Sequence, residues 1–460
     1  MEEDRVFSIA QNVVNTTYDT LPKGIAEFTK KLIIDTVGVS LCGSTEKGVK
    51  ELIEIFRNWG GKEESTIWVY GGKVPCINAA QVNATMIHAP DYDDTHDASP
   101  IHVGVVTVPA ALAIAEMRGP ISGKEIITAI ALGADFAIRL CLACKIPMVQ
   151  AGWHYTALHG NFAAAAVAGK LMGLDQKTLI SAIGLSNHQA AGTNQGVFDG
   201  VLAKRVGPGF AVRNGMMAAL MAQKGITGAR RSLEGVAGLY NVYHRGEYDP
   251  KVLTEDLGKR NWVEDLSYKP YASCRNTHGS IEATLSLIHE HKIRSEEIES
   301  IKIICGKFVR TLSEPSDIKL NPRNTVDAQF SVPWGVAVAA ARGKIDLESF
   351  SDRAIKDKEL LAMASKVSVE LNDSFSRKGL EPVSIEIKTK DGKVRSKHNP
   401  DPYGSPTNPM SMEVLFEKFR DCASHAVKPI NKDTVENLLK SLARLEEVND
   451  VSQTIKLLNC

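Results

Sequence analysis

Residues 160–171 contain Ala163 to Ala166 and almost no polar side chain. A helix without a polar face has to be covered on every side, so this run asks for a compact, many-helix domain around it. Residues 179–188 and 209–223 read as further buried helices. Residues 24–42 are periodic, with Ile25, Phe28, Leu32, Ile33 and Val37 on one face. Ser122-Gly-Lys-Glu125 is a capping box that opens a long helix toward Cys144. Small residues recur throughout these runs and let helix backbones approach closely. A chain of 460 residues, 43% of them hydrophobic, is too apolar for disorder and long enough to bury a large core without staples.

The texture changes near residue 265. Residues 280–291 read as a helix, and 299–305 alternate like a strand with Ile301, Ile303 and Cys305 on one face. Residues 327–342 return to helix and 366–371 alternate again. Residues 383–389 and 393–397 flank Asp391-Gly392, a pair that suits a type I′ hairpin turn. This is an α+β module, closed by the Pro/Gly/Asn-rich stretch 399–406. Beyond it, 411–419 and 433–445 are helical and are expected to rejoin the first domain.

Lysine and arginine total 54 and aspartate and glutamate 54. No cationic surplus steers such a chain to nucleic acid or anionic lipid. The start, Met1-Glu2-Glu3-Asp4, is acidic where a secretory signal is basic. The longest apolar stretch, 103–117, carries Gly104, Thr107 and Pro109 and falls short of the roughly 20 residues a membrane span needs. Eight scattered cysteines make no disulfide framework. Cys141 and Cys144 form a CxxC inside an apolar helical run, with no second Cys/His pair at zinc-finger spacing, and read as core thiols. A reducing, cytoplasmic compartment is expected.

The densest chemistry lies in Asp91-Tyr-Asp93-Asp94-Thr95-His96-Asp97, followed by His102: four carboxylates and two imidazoles within 12 residues. A calcium loop would use Asp91, Asp93, Thr95 and Asp97, but His96 stands where it needs glycine and His102 where it needs glutamate. A phosphatase-type DxDxT nucleophile needs an apolar strand before Asp91, and His88-Ala-Pro90 is a poor one. A solvated loop capping the next helix is the third reading. Elsewhere, His154 precedes the alanine-rich helix, where amides and dipole favour an anion, while His159 reads as packing. Lys204 and Arg205 occupy a glycine-rich segment before a buried helix, a poor place for cations unless an anion joins them. Lys269 to His278 fall at the junction of the two textures. There is no phosphate-binding glycine loop, no GxSxG and no HExxH. Carboxylates and imidazoles beside cations point to acid–base chemistry on a small polyanion.

These clusters, in this order, resemble the MmgE/PrpD family of 2-methylcitrate dehydratases, cis-aconitate decarboxylases and iminodisuccinate epimerases. The resemblance rests on His88-Ala-Pro-Asp-Tyr-Asp-Asp-Thr-His, Ile101-His102, Gly152-Trp-His-Tyr-Thr, Lys204-Arg205 before Gly209, Thr227-Gly228 with Glu234-Gly235, Lys269-Pro-Tyr and Phe330-Ser-Val-Pro-Trp334. It implies a mainly α fold with an inserted α+β lid: a large helical domain from residues 1–265 and 402–460, and a smaller α/β domain from 266–401. It implies a homodimer without metal or organic cofactor, an active site between the domains and a small polycarboxylate substrate. The reaction implied is hydration or dehydration of a 2-methylcitrate-like acid, with epimerisation or decarboxylation as alternatives. By motif, His102 and His154 would move protons and Asp91 would orient or tune an imidazole. Lys204, Lys269, Thr95 and Arg275 would bind substrate carboxylates, with Cys274 and Trp334 lining the pocket. Two departures stand out. Family sequences often have Tyr at Trp334, and the decarboxylase branch carries His at Cys274, which makes this chain look less like a decarboxylase.

Overall fold

The computed structural model describes residues 3–377 and 379–459; Met1 and Glu2 of the acidic start lie outside them. The chain divides into two compact units, one of Met1–Gly196, Leu202–Leu266 and Ser411–Cys460, the other of Val197–Val201 and Ser267–Met410. The architecture is mainly α, with a smaller α/β part. Among the described residues no helix is long and apolar enough to cross a membrane.

The first unit is a helical assembly around Tyr155–Leu171, which is buried along its whole length apart from Lys170. Ile25–Gly43, Cys76–His88, Gly104–Arg118, Gly123–Leu142, Gln176–Asn187 and Ala203–Gln223 are its main companions. The Gly123–Leu142 helix opens on the expected capping box: the Ser122 hydroxyl accepts from the Glu125 amide at 3.3 Å, and Glu125 Oε2 accepts from the Ser122 amide at 2.9 Å. Small residues set the crossings. A Cβ on Gly215 would run into the Asn161 carbonyl, so the Ala203–Gln223 and Tyr155–Leu171 helices meet backbone to backbone.

Two helix starts differ from the sequence expectation. The helix expected from 209 begins at Ala203 instead, running through Gly207-Pro208-Gly209. Those residues read locally as a breaker, but Gly209 lies where a Cβ would come 2.8 Å from the Gln81 carbonyl. Close packing there outweighs weak helix propensity. The alanine-rich helix likewise begins at Tyr155, not 160.

The second unit carries a four-stranded sheet in the order Val367–Leu371, Ile298–Cys305, Val383–Thr389, Val394–Asn399. The first pair is parallel and the other two antiparallel. Ile301, Ile303 and Cys305 are wholly buried, as their alternation requires. The hairpin after Thr389 is real, but its turn is not type I′. The Gly392 amide donates to the Thr389 carbonyl and only Gly392, at φ 84°, is left-handed. That is a three-residue loop of a type I turn closed by a glycine bulge. The helix expected over 327–342 is broken into Thr325–Gln329 and Val332–Arg342. Pro333 cannot donate an interior helix bond, and the Ser331 hydroxyl caps the second piece by accepting from the Trp334 amide.

Candidate active site

The Cys76–His88 helix ends just before Pro90, and the chain turns sharply at Asp91, whose φ of 53° lies in the left-handed region. Asp is among the few side chains that tolerate it. The turn delivers Asp91, Asp93 and Asp94 to three separate tasks. Asp91 is ion-paired with Lys204 Nζ, both side chains being buried. Asp94 caps the Gly104–Arg118 helix, accepting from the amides of Val103 and Gly104, each at 3.0 Å. So part of the acidic cluster is the capping loop that the third sequence reading described.

Asp93 has a different role. Its Oδ2 lies 2.9 Å from His88 Nδ1 and 3.3 Å from His102 Nδ1. His88 and Asp93 are wholly buried, whereas the His102 side chain keeps 15% exposure. The bond to His88 is well formed; His102 is within reach of the charge but off the hydrogen-bonding direction. Asp91 thus pairs with a lysine and its charge also acts on the His154 imidazole, while Asp93 is the carboxylate that directly faces two histidines.

The electrostatics follow from burial. Burial pulls His88 down to about 4, Lys204 pushes the same way and Asp93 opposes them. Burial would raise Asp93, but His102 and His88 beside it hold it well below the usual carboxylate range. The arrangement is thus an ionised Asp93 accepting the Nδ1 proton of a neutral His88. His154 is held well below the ordinary histidine value, first by burial and then by His88, Lys204 and His102, with Asp91 opposing. At neutral pH it is a free base.

His154 occupies the N-cap position of the Tyr155–Leu171 helix, and its ring centre lies 5.5 Å from that of His88. The next turn ties in His102, whose amide donates to the Thr156 hydroxyl at 3.1 Å. Lys204 and Arg205 lie in the first turn of the Ala203–Gln223 helix, not in a loop before it. The anion expected between two cations at a helix start comes from the chain itself: Asp91 for Lys204, and Glu46, 2.7 Å from Arg205. From the C-terminal segment, Lys418 pairs with Asp35 at 2.7 Å and donates to the Tyr92 carbonyl at 2.8 Å, pinning the acidic loop. Thr95 is buried in the short strand Thr95–His96.

The first unit therefore brings together Asp91, Lys204, His102 and His154, and adds His88 and Asp93, which carried no catalytic assignment in the acid–base reading. Their signal was present in the HAPDYDDTH string, but nothing local says which aspartate faces the histidines. His88, Asp93 and His102 also form a group whose ligand atoms lie within 4.8 Å of one another, close enough for a metal ion. A helix, not an apolar strand, precedes Asp91, which removes the context a DxDxT nucleophile needs.

The remaining candidates belong to the second unit. Lys269 is buried. Cys274 is half-buried, its amide donating to the Gln329 carbonyl at 2.9 Å. Arg275 donates to the carbonyls of Tyr403 at 2.8 Å and Pro402 at 3.2 Å, so its guanidinium orders that loop. Trp334 is fully buried, with its indole N–H given to the Ser349 carbonyl at 3.1 Å. Expected as a pocket residue, it is a core residue of its unit.

Comparison with known proteins gives two family matches, the MmgE/PrpD N-terminal domain over residues 8–251 and the MmgE/PrpD C-terminal domain over 271–443. The chain is 26% identical to a cis-aconitate decarboxylase of Aspergillus terreus, covering 97% of this chain and 94% of that protein. It is 26% identical to the human cis-aconitate decarboxylase over 94% of this chain and 90% of that one. A 2-methylcitrate dehydratase of Escherichia coli K12 is 21% identical over 57% and 54% of the two chains.

Proposed function

The chain belongs to the MmgE/PrpD family, and from that premise we propose that it is a lyase adding or removing water at a citrate-like di- or tricarboxylate. The observation that carries this reading is the Asp93 carboxylate set between His88 and His102, beside the buried Lys204–Asp91 pair. Dehydration needs a base for the weakly acidic proton next to a carboxylate, and an acid for the departing hydroxyl. His154, held neutral, suits the base. His102 suits the acid by position, its ring partly exposed and 3.3 Å from the Asp93 carboxylate. Each positioned group contributes roughly 10²–10⁴-fold. Lys204 lowers the cost of negative charge developing on the substrate. On the motif resemblance, Thr95 and Lys269 also serve substrate carboxylates. On the same resemblance, Arg275, which donates to the Tyr403 and Pro402 carbonyls, is a further carboxylate-binding candidate.

A second reading, decarboxylation, draws support from the near full-length match to cis-aconitate decarboxylases. There the carbon–carbon bond breaks, carbon dioxide leaves, and the electron pair left on carbon takes a proton from a histidine.

The test is proton exchange in D₂O followed by NMR with citrate-like, malate-like and aspartate-like acids. Exchange or alkene formation that is lost in His102→Ala supports the hydro-lyase. Loss of carbon dioxide selects the second reading. Absence of both with every acid overturns the proposal.

A further inference from the structure

A second cluster of titratable side chains lies in the core of the helical unit, away from the acidic loop. Cys144 follows the Gly123–Leu142 helix, His159 sits in the second turn of Tyr155–Leu171, and His244 closes the short helix Leu239–Tyr243. All three are buried. His159 Nε2 and His244 Nε2 face each other at 3.2 Å, and Cys144 Sγ lies 3.5 Å from His244 Nε2. The ligand atoms of all three lie within 4.8 Å of one another.

These separations have a meaning beyond packing. A tetrahedral zinc holds nitrogen at about 2.0–2.1 Å and sulfur at about 2.3 Å, which sets neighbouring nitrogens roughly 3.3 Å apart and sulfur and nitrogen roughly 3.6 Å apart. Two separations in the cluster, 3.2 Å between the facing nitrogens and 3.5 Å between Cys144 Sγ and His244 Nε2, match edges of that polyhedron before any ion enters. We propose that Cys144, His159 and His244 supply three ligands of a site for a zinc-class divalent cation, its fourth position open to water.

The surroundings suit it. His159 Nδ1 lies 2.8 Å from Cys141 Sγ, so the far ring nitrogen has the partner that orients a metal-bound histidine. Burial holds His159 well below the ordinary histidine value and His244 at about 4, which keeps both rings neutral. On binding, the Cys144 S–H bond breaks, its proton leaves to solvent and the sulfur pair forms the bond to the metal; the ring that carries its proton on Nε2 gives it up and takes one on Nδ1, so both rings stay neutral and each offers an Nε2 lone pair. No electron is transferred. The thiol now donates to the Leu140 carbonyl at 3.2 Å, and that carbonyl keeps the Tyr240 hydroxyl, 3.0 Å away, when the thiol proton goes. The ion would tie the end of one helix and the loop after Tyr243 to the helix that His154 caps.

Cobalt(II) titration of the full-length, metal-stripped protein tests this. The expected result is one equivalent bound, with sulfur-to-cobalt charge-transfer absorption and the visible bands of tetrahedral cobalt, all bleached by added zinc. Cys144→Ser should lose the charge-transfer band and His102→Ala should keep it, since the His88–Asp93–His102 group has no sulfur. Should Cys144→Ser not fold, His244→Gln serves in its place and should weaken cobalt binding by at least roughly 100-fold. Folded wild-type protein that takes up no cobalt, a band that survives Cys144→Ser, or a spectrum zinc does not bleach overturns the site.

Discussion

Nδ1 of His102 stands 3.3 Å from a carboxylate oxygen of Asp93, which is itself fully buried. A buried carboxylate beside a partly exposed imidazole is an arrangement for holding and releasing a proton. Asp93→Asn keeps the shape and removes the charge. It is expected to lower kcat roughly 10²-fold or more while leaving KM within a few-fold. Steady-state kinetics, with circular dichroism to confirm folding, decide it. A variant with wild-type kcat removes Asp93 from the proton path.

The Asp91–Lys204 pair is buried on both sides, so removing either partner strands a charge. Asp91→Asn and Lys204→Met should each cost about 3–5 kcal/mol. The double variant should lose clearly less than the sum, because no unpaired charge remains. Urea denaturation of the four proteins measures the coupling. Strict additivity would mean that the two side chains do not interact.

His154 carries a pH signature. Its folded value lies below the ordinary histidine value of about 6.5, so a base at this position stays neutral as pH falls through that range. The acid limb of kcat/KM should therefore break below the ordinary value. Lys204 is one of the groups pushing His154 down and Asp91 opposes it, so Lys204→Met should move the break upward. A break that stays fixed in Lys204→Met assigns the limb to another group.

Much of this was legible in the chain. The capping box at Ser122, the buried alternation of Ile301, Ile303 and Cys305, and the hairpin around Gly392 follow from local rules. What failed locally was settled by packing: the helix through Gly207-Pro208-Gly209 forms because Gly209 must pass close to Gln81. At the site, the motif residues gather, yet which aspartate takes the histidines depends on the left-handed turn at Asp91. Cys144, His159 and His244 are 15 and 85 positions apart in sequence, a spacing with no motif, so only the fold unites them.

Trp334 separates a pocket role from a core one. Its indole N–H donates to the Ser349 carbonyl at 3.1 Å and none of the side chain reaches solvent. Trp334→Phe leaves that carbonyl without its donor and a void beside it, at a cost of about 1–3 kcal/mol. Thermal unfolding should register the loss and kcat should be unchanged. A collapse of kcat without loss of stability would return Trp334 to the pocket.

Acid should unfold this protein through its buried histidines. Burial is the main cause holding His96 at about 4, and the Ser99 amide and hydroxyl face its Nδ1 at 3.1 and 3.0 Å. In the unfolded chain the same ring titrates near 6.5. Between those values the unfolded state binds the extra proton, so stability is complete above about 6.5 and drains away as pH falls toward 4. One such group accounts for up to on the order of 3 kcal/mol across that window, and His88, also held at about 4, acts in the same direction. His96→Asn keeps an acceptor for Ser99 and cannot titrate. Denaturant unfolding at pH 8 and pH 5 should show a smaller acid loss in His96→Asn than in wild type; equal losses would mean that His96 is protonated alike in both states.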